Sequence, residues 1–327
     1  MPALGHNGSL QMVKEVTWGT DPGSGYTGQP VTGETLETKQ AYLWGTPVQG
    51  TREVTAQKVL AGVTASGGIS FDADVEGILG MCLKGILIGE TYATNGSGNG
   101  GTHTFAPTSE PTAVPSFSIL VNRDNVIGAA GNVWDYVGST VDKLSLSASE
   151  GQLLKASATF SSKSGAPSAT AVTPTYATQM PLVYRNGTFT VGGVATALKS
   201  FKLDIDSGNY NKRGQLGSQY IQQQQPGALK VTGSLSAYFD NMTLLTDYLN
   251  GTDAILSMAF TGAALGTSTR GLTILIPVAQ FTGKTPNIKG AASEIMLDLP
   301  FTAWLSGSGS PNHLIQATLI NSQQSAY

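Results

Sequence analysis

The chain has 327 residues, with Lys+Arg 18, Asp+Glu 21, three His and one Cys, for a net charge of −3 and a pI of about 5.6. Charged residues make up 12%, roughly half their usual share of about 25%, and no basic stripe of the kind that reads nucleic-acid sequence is visible. One cysteine, Cys82, excludes an internal disulfide and a Cys-based zinc site, and three scattered histidines argue against a His-rich metal site.

The length suggests about two domains. Residues 1–30 are Gly-rich and polar with little periodicity, which predicts an N-terminal arm. No charged start followed by an apolar stretch is present, so no secretory signal is read. The longest apolar run, Ile78 to Gly89, is interrupted by Lys84 and is too short to span a bilayer. A soluble, β-rich protein made in the cytosol is the expectation.

Strict alternation is the main signal after residue 30. Leu144, Leu146 and Ala148 alternate with Ser145 and Ser147, and Leu154, Ala156, Ala158 and Phe160 alternate with Lys155, Ser157 and Thr159. With the turn Ser149-Glu150-Gly151-Gln152 between them, the two predict an antiparallel hairpin. Phe201, Leu203 and Ile205 alternate with lysine and aspartate, and Leu229 to Ala237 and Ile295 to Ala303 alternate too. Pro300 lacks an N–H, which predicts an edge strand there.

Two apolar stripes have helical period. Val75, Ile78, Leu79, Cys82, Leu83 and Ile86 form the first, with Asp72 or Asp74 as cap and Gly89 as stop. Met242, Leu245 and Leu249 form the second, capped at Asp240 and ended by Gly251. The segment from Gly67 to the first helix aligns without a gap on the segment from Gly233 to the second, at an offset of 233 − 67 = 166. Half a chain length of offset predicts two copies of one β-sandwich-with-helix domain. The boundaries read as arm 1–30, domain 31–165, a Ser/Thr/Ala/Pro-rich linker 166–180, domain 181–310 and a C-terminal strand or tail 311–327.

Upstream of each helix lies a polar excursion of about twenty residues, 37–58 and 206–226. Loops of that length are uncommon in compact domains unless they bind something. Tyr42, Leu43 and Trp44 in the first, and Tyr210, Leu216, Tyr220 and Ile221 in the second, put apolar groups on polar loops. Together with Trp18 they are the candidate contacts to neighbouring subunits or rings.

The remaining motifs point to ordinary structure. Gly96-Ser97-Gly98-Asn99-Gly100-Gly101 spells GxGxxG, but a strand-like segment and Pro107 follow where a phosphate cradle needs a helix. Asp72-x-Asp74-x-Glu76-Gly77 opens like a calcium loop, yet Leu83 stands where the closing acid belongs. Cys82 lies on the apolar stripe with no base nearby, and no Gly-x-Ser-x-Gly elbow or Ser/His/Asp arrangement is found.

The duplicated order of strand, long hairpin, strand and helix, with Gly67-Gly68-Ile69-Ser70 and Gly233-Ser234-Leu235-Ser236 leading into the helices, resembles the tail tube proteins of tailed bacteriophages. Lys14-Glu15-Val16-Thr17-Trp18-Gly19-Thr20 is similar to the start of a duplicated subfamily. The resemblance implies a mainly β fold of two tandem tail-tube-like β-sandwich domains, each with a flanking helix and a long hairpin loop. It also implies that one sheet joins its neighbours' sheets around a channel, and that the hairpin of one ring docks on the next. A ring holds six tube domains, so this chain would form a trimer imitating a hexamer, through which DNA is ejected. Implied partners are further copies of the chain and other tail proteins: tape measure, tail terminator, and baseplate or distal tail protein. The implied location is the virion tail, after synthesis in the host cytoplasm. No catalytic residue, metal, cofactor or membrane contact is implied. The alternative is a carbohydrate-binding or adhesive β-sandwich of a tail fibre or spike. It requires an aromatic platform, whereas Trp18, Trp44, Trp134 and Trp304 are dispersed.

Overall fold

The structure is a computed structural model. It describes residues 5–327 except 46–47, 49, 51, 53–56, 97, 109–112, 124–132, 169–172, 179, 210–212, 240–241, 284, 287–293 and 306–311.

The first half runs β1 (Ser9–Lys14), β2 (Thr27–Gln29), β3 (Gly33–Glu34), β4 (Glu37–Gly45), β5 (Gln57–Asp72), α1 (Leu79–Leu87), β6 (Ile88–Thr94), β7 (Gly101–Pro107), β8 (Phe117–Asn122), β9 (Val133–Ser149), β10 (Lys155–Ser162) and β11 (Ser164–Ser168). The second half runs β12 (Gly187–Val191), β13 (Val194–Ala195), β14 (Leu198–Asp206), β15 (Lys230–Tyr238), α2 (Thr243–Asn250), β16 (Ala254–Leu265), β17 (Ser268–Phe281), β18 (Met296–Ala303) and β19 (Gln316–Asn321). The protein is mainly β, and every strand pairing is antiparallel.

The pairings of the first half are β1–β2, β1–β8, β8–β9, β9–β11, β9–β10, β10–β5 and β4–β5. Those of the second half are β12–β13, β12–β16, β16–β17, β17–β19, β17–β18, β18–β15 and β14–β15. The two series match term by term. Among the described residues the first half adds a β3–β5 pairing and a β6–β7 hairpin that have no counterpart in the second.

Two ladders join the halves. β14 pairs with β9 from Ser200↔Ser149 to Asp206↔Lys143, and β19 lies between β17 and β7. One sheet therefore continues in the order β4–β5–β10–β9–β14–β15–β18. Its apolar face closes a core with the other layer and the helices. Phe71, Ala158, Leu146, Leu203 and Leu235 are all buried there. Alternation forces this arrangement, because a one-residue slip would turn every one of these side chains into water.

The expected hairpin at 142–161 is β9–β10, with the turn at Glu150 and Gly151. The expected edge strand is not found: β18 is paired by β15 along its length and by β17 at 301–303, and the Pro300 carbonyl accepts the Thr282 N–H at 2.7 Å, so Pro300 sits where the β17 ladder ends rather than on a free edge.

Other expectations are corrected. Within the span read as an N-terminal arm, the described residues include β1 and β2. β1 is central in a sheet between β2 and β8, and five of its six residues are buried. Ala166 to Ser168, expected in the linker, belong to β11. The helix starts at Leu79, not Val75, because Asp74 accepts the Glu76 N–H (2.8 Å) and the Met180 N–H (2.7 Å) and so fixes a turn ahead of it. It ends at Ile88, whose φ is 68°, rather than at Gly89. Gly85 lets α1 approach the sheet: a Cβ there would lie 2.6 Å from Val141 and 2.9 Å from Phe117. Gly251 ends α2 in the left-handed conformation as expected (φ 63°), while the expected cap Asp240 lies outside the described residues.

Candidate assembly interface

The first excursion is a true β-ribbon. Its register pairs Tyr42 with Leu60, Leu43 with Val59 and Trp44 with Lys58. Residues opposite each other share a face, so Tyr42, Trp44, Leu60 and Lys58 form one side and Leu43 and Val59 the other. The Lys58 ammonium lies 3.9 Å from the Tyr42 ring centroid and 5.7 Å from that of Trp44, a cation–π arrangement that holds the two rings in place. Leu43 is 66% exposed, Trp44 60% and Val59 60%. Both faces of the ribbon are thus apolar and wet. A two-stranded ribbon is marginal alone, and a clustered apolar surface of this kind marks an interaction site.

The second excursion differs from the expected hairpin. Its described residues form turns and extended chain with no ladder. It folds back on the first half, where the Val63 N–H of β5 donates to the Gln219 carbonyl at 2.8 Å, and it closes on itself through the Gln222 N–H, which donates to the Arg213 carbonyl at 2.8 Å. Leu216 is fully exposed at its tip, while Tyr220 and Ile221 are half-buried. Tyr210 lies outside the described residues.

Trp18 is also held by its own chain. The Glu15 carboxylate accepts N–H bonds from Gly19 (2.7 Å) and Gly138 (2.7 Å) and hydroxyl bonds from Ser116 (2.7 Å) and Ser118 (2.8 Å), which pins the 15–19 loop. Lys163 sits over the Trp18 ring at 4.9 Å. The structure therefore displays Tyr42, Leu43, Trp44 and Leu216, and tucks Trp18, Tyr220 and Ile221 against the chain. Sequence reasoning passed over Val59 and Leu60, although their direct succession on a polar hairpin was a signal. It also left Leu249 of α2, 60% exposed, as part of an ordinary apolar stripe.

The sheet adds a second kind of surface. Among the described residues β4 has no ladder partner on its outer side, and β18 has none over 296–299 on the side away from β15. These are the two ends of the seven-strand sheet. The face of that sheet turned away from the core is built of small polar and charged groups, such as Ser70, Ser157, Ser145, Asp204 and Thr232 along one row.

His103 is buried with its Nδ1 2.9 Å from Glu90 Oε1. Burial pushes the Cys82 thiol up to about 12. The described residues between Thr94 and Gly101 connect β6 to β7, and Gly101 begins β7. Among the described residues, no group of three or more His, Cys, Asp or Glu is placed to hold a metal ion, and no helix is long and apolar enough to cross a membrane.

Unpaired sheet ends, an apolar ribbon exposed on both faces and a duplicated topology define a structural protein that assembles with further protein surfaces. The family model for phage tail tube protein matches residues 5–303. The chain belongs to that family, whose members are structural components of the virion tail. No curated relative matches the chain at a significant level.

Proposed function

We propose that three copies of the chain close into a ring in which the seven-strand sheets run on from copy to copy and line a channel, and that stacked rings form the tube through which DNA is ejected. In this reading the spans 31–165 and 181–310 act as two tube domains, so three chains present six. The observation that carries it is the β9–β14 ladder. In the matched series of pairings, β17 is the counterpart of β9, and β4 is the counterpart of β14. Setting the β4 end of one copy against the β17–β18 end of the next repeats that ladder between chains. Closure removes the open ends, which otherwise invite aggregation.

The β4–β5 ribbon extends beyond the end of β10, which pairs β5 only from Ala65 to Asp72. Its exposed Tyr42, Leu43 and Trp44, together with the exposed Leu216 of the second excursion, supply the contact between rings. Tape measure, tail terminator, and baseplate or distal tail proteins would meet the inside and the two ends of the finished tube, and assembly would follow synthesis in the host cytoplasm.

The double substitution Leu43→Glu/Trp44→Glu tests the reading, because both side chains are exposed and the fold does not need them. The variant is expected to keep its circular dichroism spectrum and to stay as single chains or single rings in sedimentation. Tubes of ordinary length in negative-stain micrographs of the variant would contradict it.

A further inference from the structure

The polar face of the seven-strand sheet carries Lys39, Lys143, Lys155, Lys202 and Lys230, and against them Glu37, Asp72, Asp204, Asp206 and Asp298. Asp142, the extra residue at the β9 bulge, adds a sixth carboxylate, which accepts from the Ser161 hydroxyl on the same face, so the acids at least match the lysines in number. The register also intermixes them. Lys155 stands directly opposite Asp72. Asp206 stands between Lys143 of β9 and Lys230 of β15, across the seam between the halves. Lys143 Nζ lies 3.0 Å from Asp206 Oδ2, Lys202 Nζ lies 2.8 Å from Asp204 Oδ2, and Lys39 pairs with Glu37. Burial raises the Asp206 carboxyl, but the Gly208 N–H and the Lys143 and Lys230 ammonium groups outweigh it and hold it below the ordinary carboxylate range.

Stability does not explain this pattern. The Lys143 and Asp206 side chains are 62% and 42% exposed, and exposed pairs contribute about 0–1 kcal/mol. What the pairs do set is the potential of the face. A face of unpaired lysines would hold a duplex, because each neutralised phosphate releases a counterion and adds affinity. A face of carboxylates alone would repel the same polyanion at the entrance.

We propose that this face is a charge-cancelled surface for a duplex polyanion, and that Asp72, Asp204 and Asp206 determine its low affinity by masking Lys155, Lys202, Lys143 and Lys230. The inference rests on the reading that this face lines the channel, and it names the residues that let DNA pass without being retained.

The face is open to solvent in the single chain, so its test does not need assembled tubes. The probe is a fluorescein-labelled 30-base-pair duplex, read by anisotropy against the full chain. The wild type is expected to leave the anisotropy unchanged at 50 mM salt. Asp72→Asn/Asp204→Asn/Asp206→Asn is expected to bind at 50 mM and to lose about fortyfold in affinity by 200 mM, the slope for roughly three freed charges. Adding Lys143→Gln/Lys202→Gln/Lys230→Gln is expected to abolish that binding. Should the triple variant not fold, the exposed single substitution Asp204→Lys is expected to give weaker, equally salt-sensitive binding. Binding by the wild type, or a folded variant as inert as the wild type, would overturn the proposal. Either result can occur with tubes intact, and failure to form tubes would sink the channel reading without altering the duplex measurement.

Discussion

Arg270 of β17 donates from Nε to Glu76 Oε1 at 2.5 Å, joining residues 194 positions apart. The two side chains are only 14% and 6% exposed. Glu76 also accepts the Ser322 N–H at 3.1 Å, and Arg270 donates to the Ala264 carbonyl at 2.7 Å. This pair fastens the turn ahead of α1 to the second half. Removing one partner of a buried, hydrogen-bonded ion pair leaves the other charge stranded, at a cost of about 3–5 kcal/mol. Arg270→Ala is therefore expected to lower the unfolding free energy from urea titration by about 3–5 kcal/mol, while an exposed counterpart such as Lys202→Ala changes it by less than about 1 kcal/mol. Equal effects of the two would contradict this account of the joint.

Leu83 and Leu249 occupy matching places, since 83 + 166 = 249, yet one is fully buried and the other is 60% exposed. Leu83→Ala is expected to destabilise the isolated chain by about 2–5 kcal/mol, and Leu249→Ala by less than about 0.5 kcal/mol. Denaturant unfolding of both variants measures the contrast. A large loss from Leu249→Ala in the single chain would mean that α2 is covered in cis.

Asp135 carries a pH dependence that falls in the neutral range. Burial, helped by the Asp21 and Glu15 carboxylates, pushes its carboxyl up to about 7, against about 3.9 in an unfolded chain. The folded state therefore binds more protons than the unfolded state between those values, and stability falls as pH rises through that window. The melting temperature is expected to be higher at pH 5.5 than at pH 8. Asp135→Asn should raise it at pH 8 and flatten the difference. A melting temperature that rises from pH 5.5 to pH 8 in the wild type, and does so equally in the variant, would refute this assignment.

Cys82 is fully buried on α1, and its thiol sits at about 12. Reactivity follows the thiolate and its access. The native chain is expected to resist maleimide labelling at pH 8 for hours and to react with one equivalent once unfolded in urea. Rapid labelling of the native chain would show that α1 opens readily.

The strands easiest to read were those with one wet face. In β14 Lys202 and Asp204, and in β15 Ser236, fall between buried apolar residues, so the period of two is visible. β1 escaped because Ser9 to Val13 are buried on both faces, Gln11 among them, which erases alternation. The true start of α1 depends on the bond between Asp74 and Met180, 106 residues away. No local pattern carries such a contact. The same holds for the second excursion, whose fold-back is set by Val63 and Gln219. Its composition matches that of the first excursion, which does project. Of the candidate contacts, Tyr42, Leu43 and Trp44 were legible as apolar groups on a polar hairpin. The charge pairing across β9 and β14 was not, because it depends on the register between the two halves.

Electron microscopy of the purified wild-type protein across a range of concentrations tests the central claim most directly. Continuation of the sheet from copy to copy predicts hollow tubes built of rings, with three chains in each ring and a central channel. Single chains at every concentration, or compact particles without a channel, would contradict it.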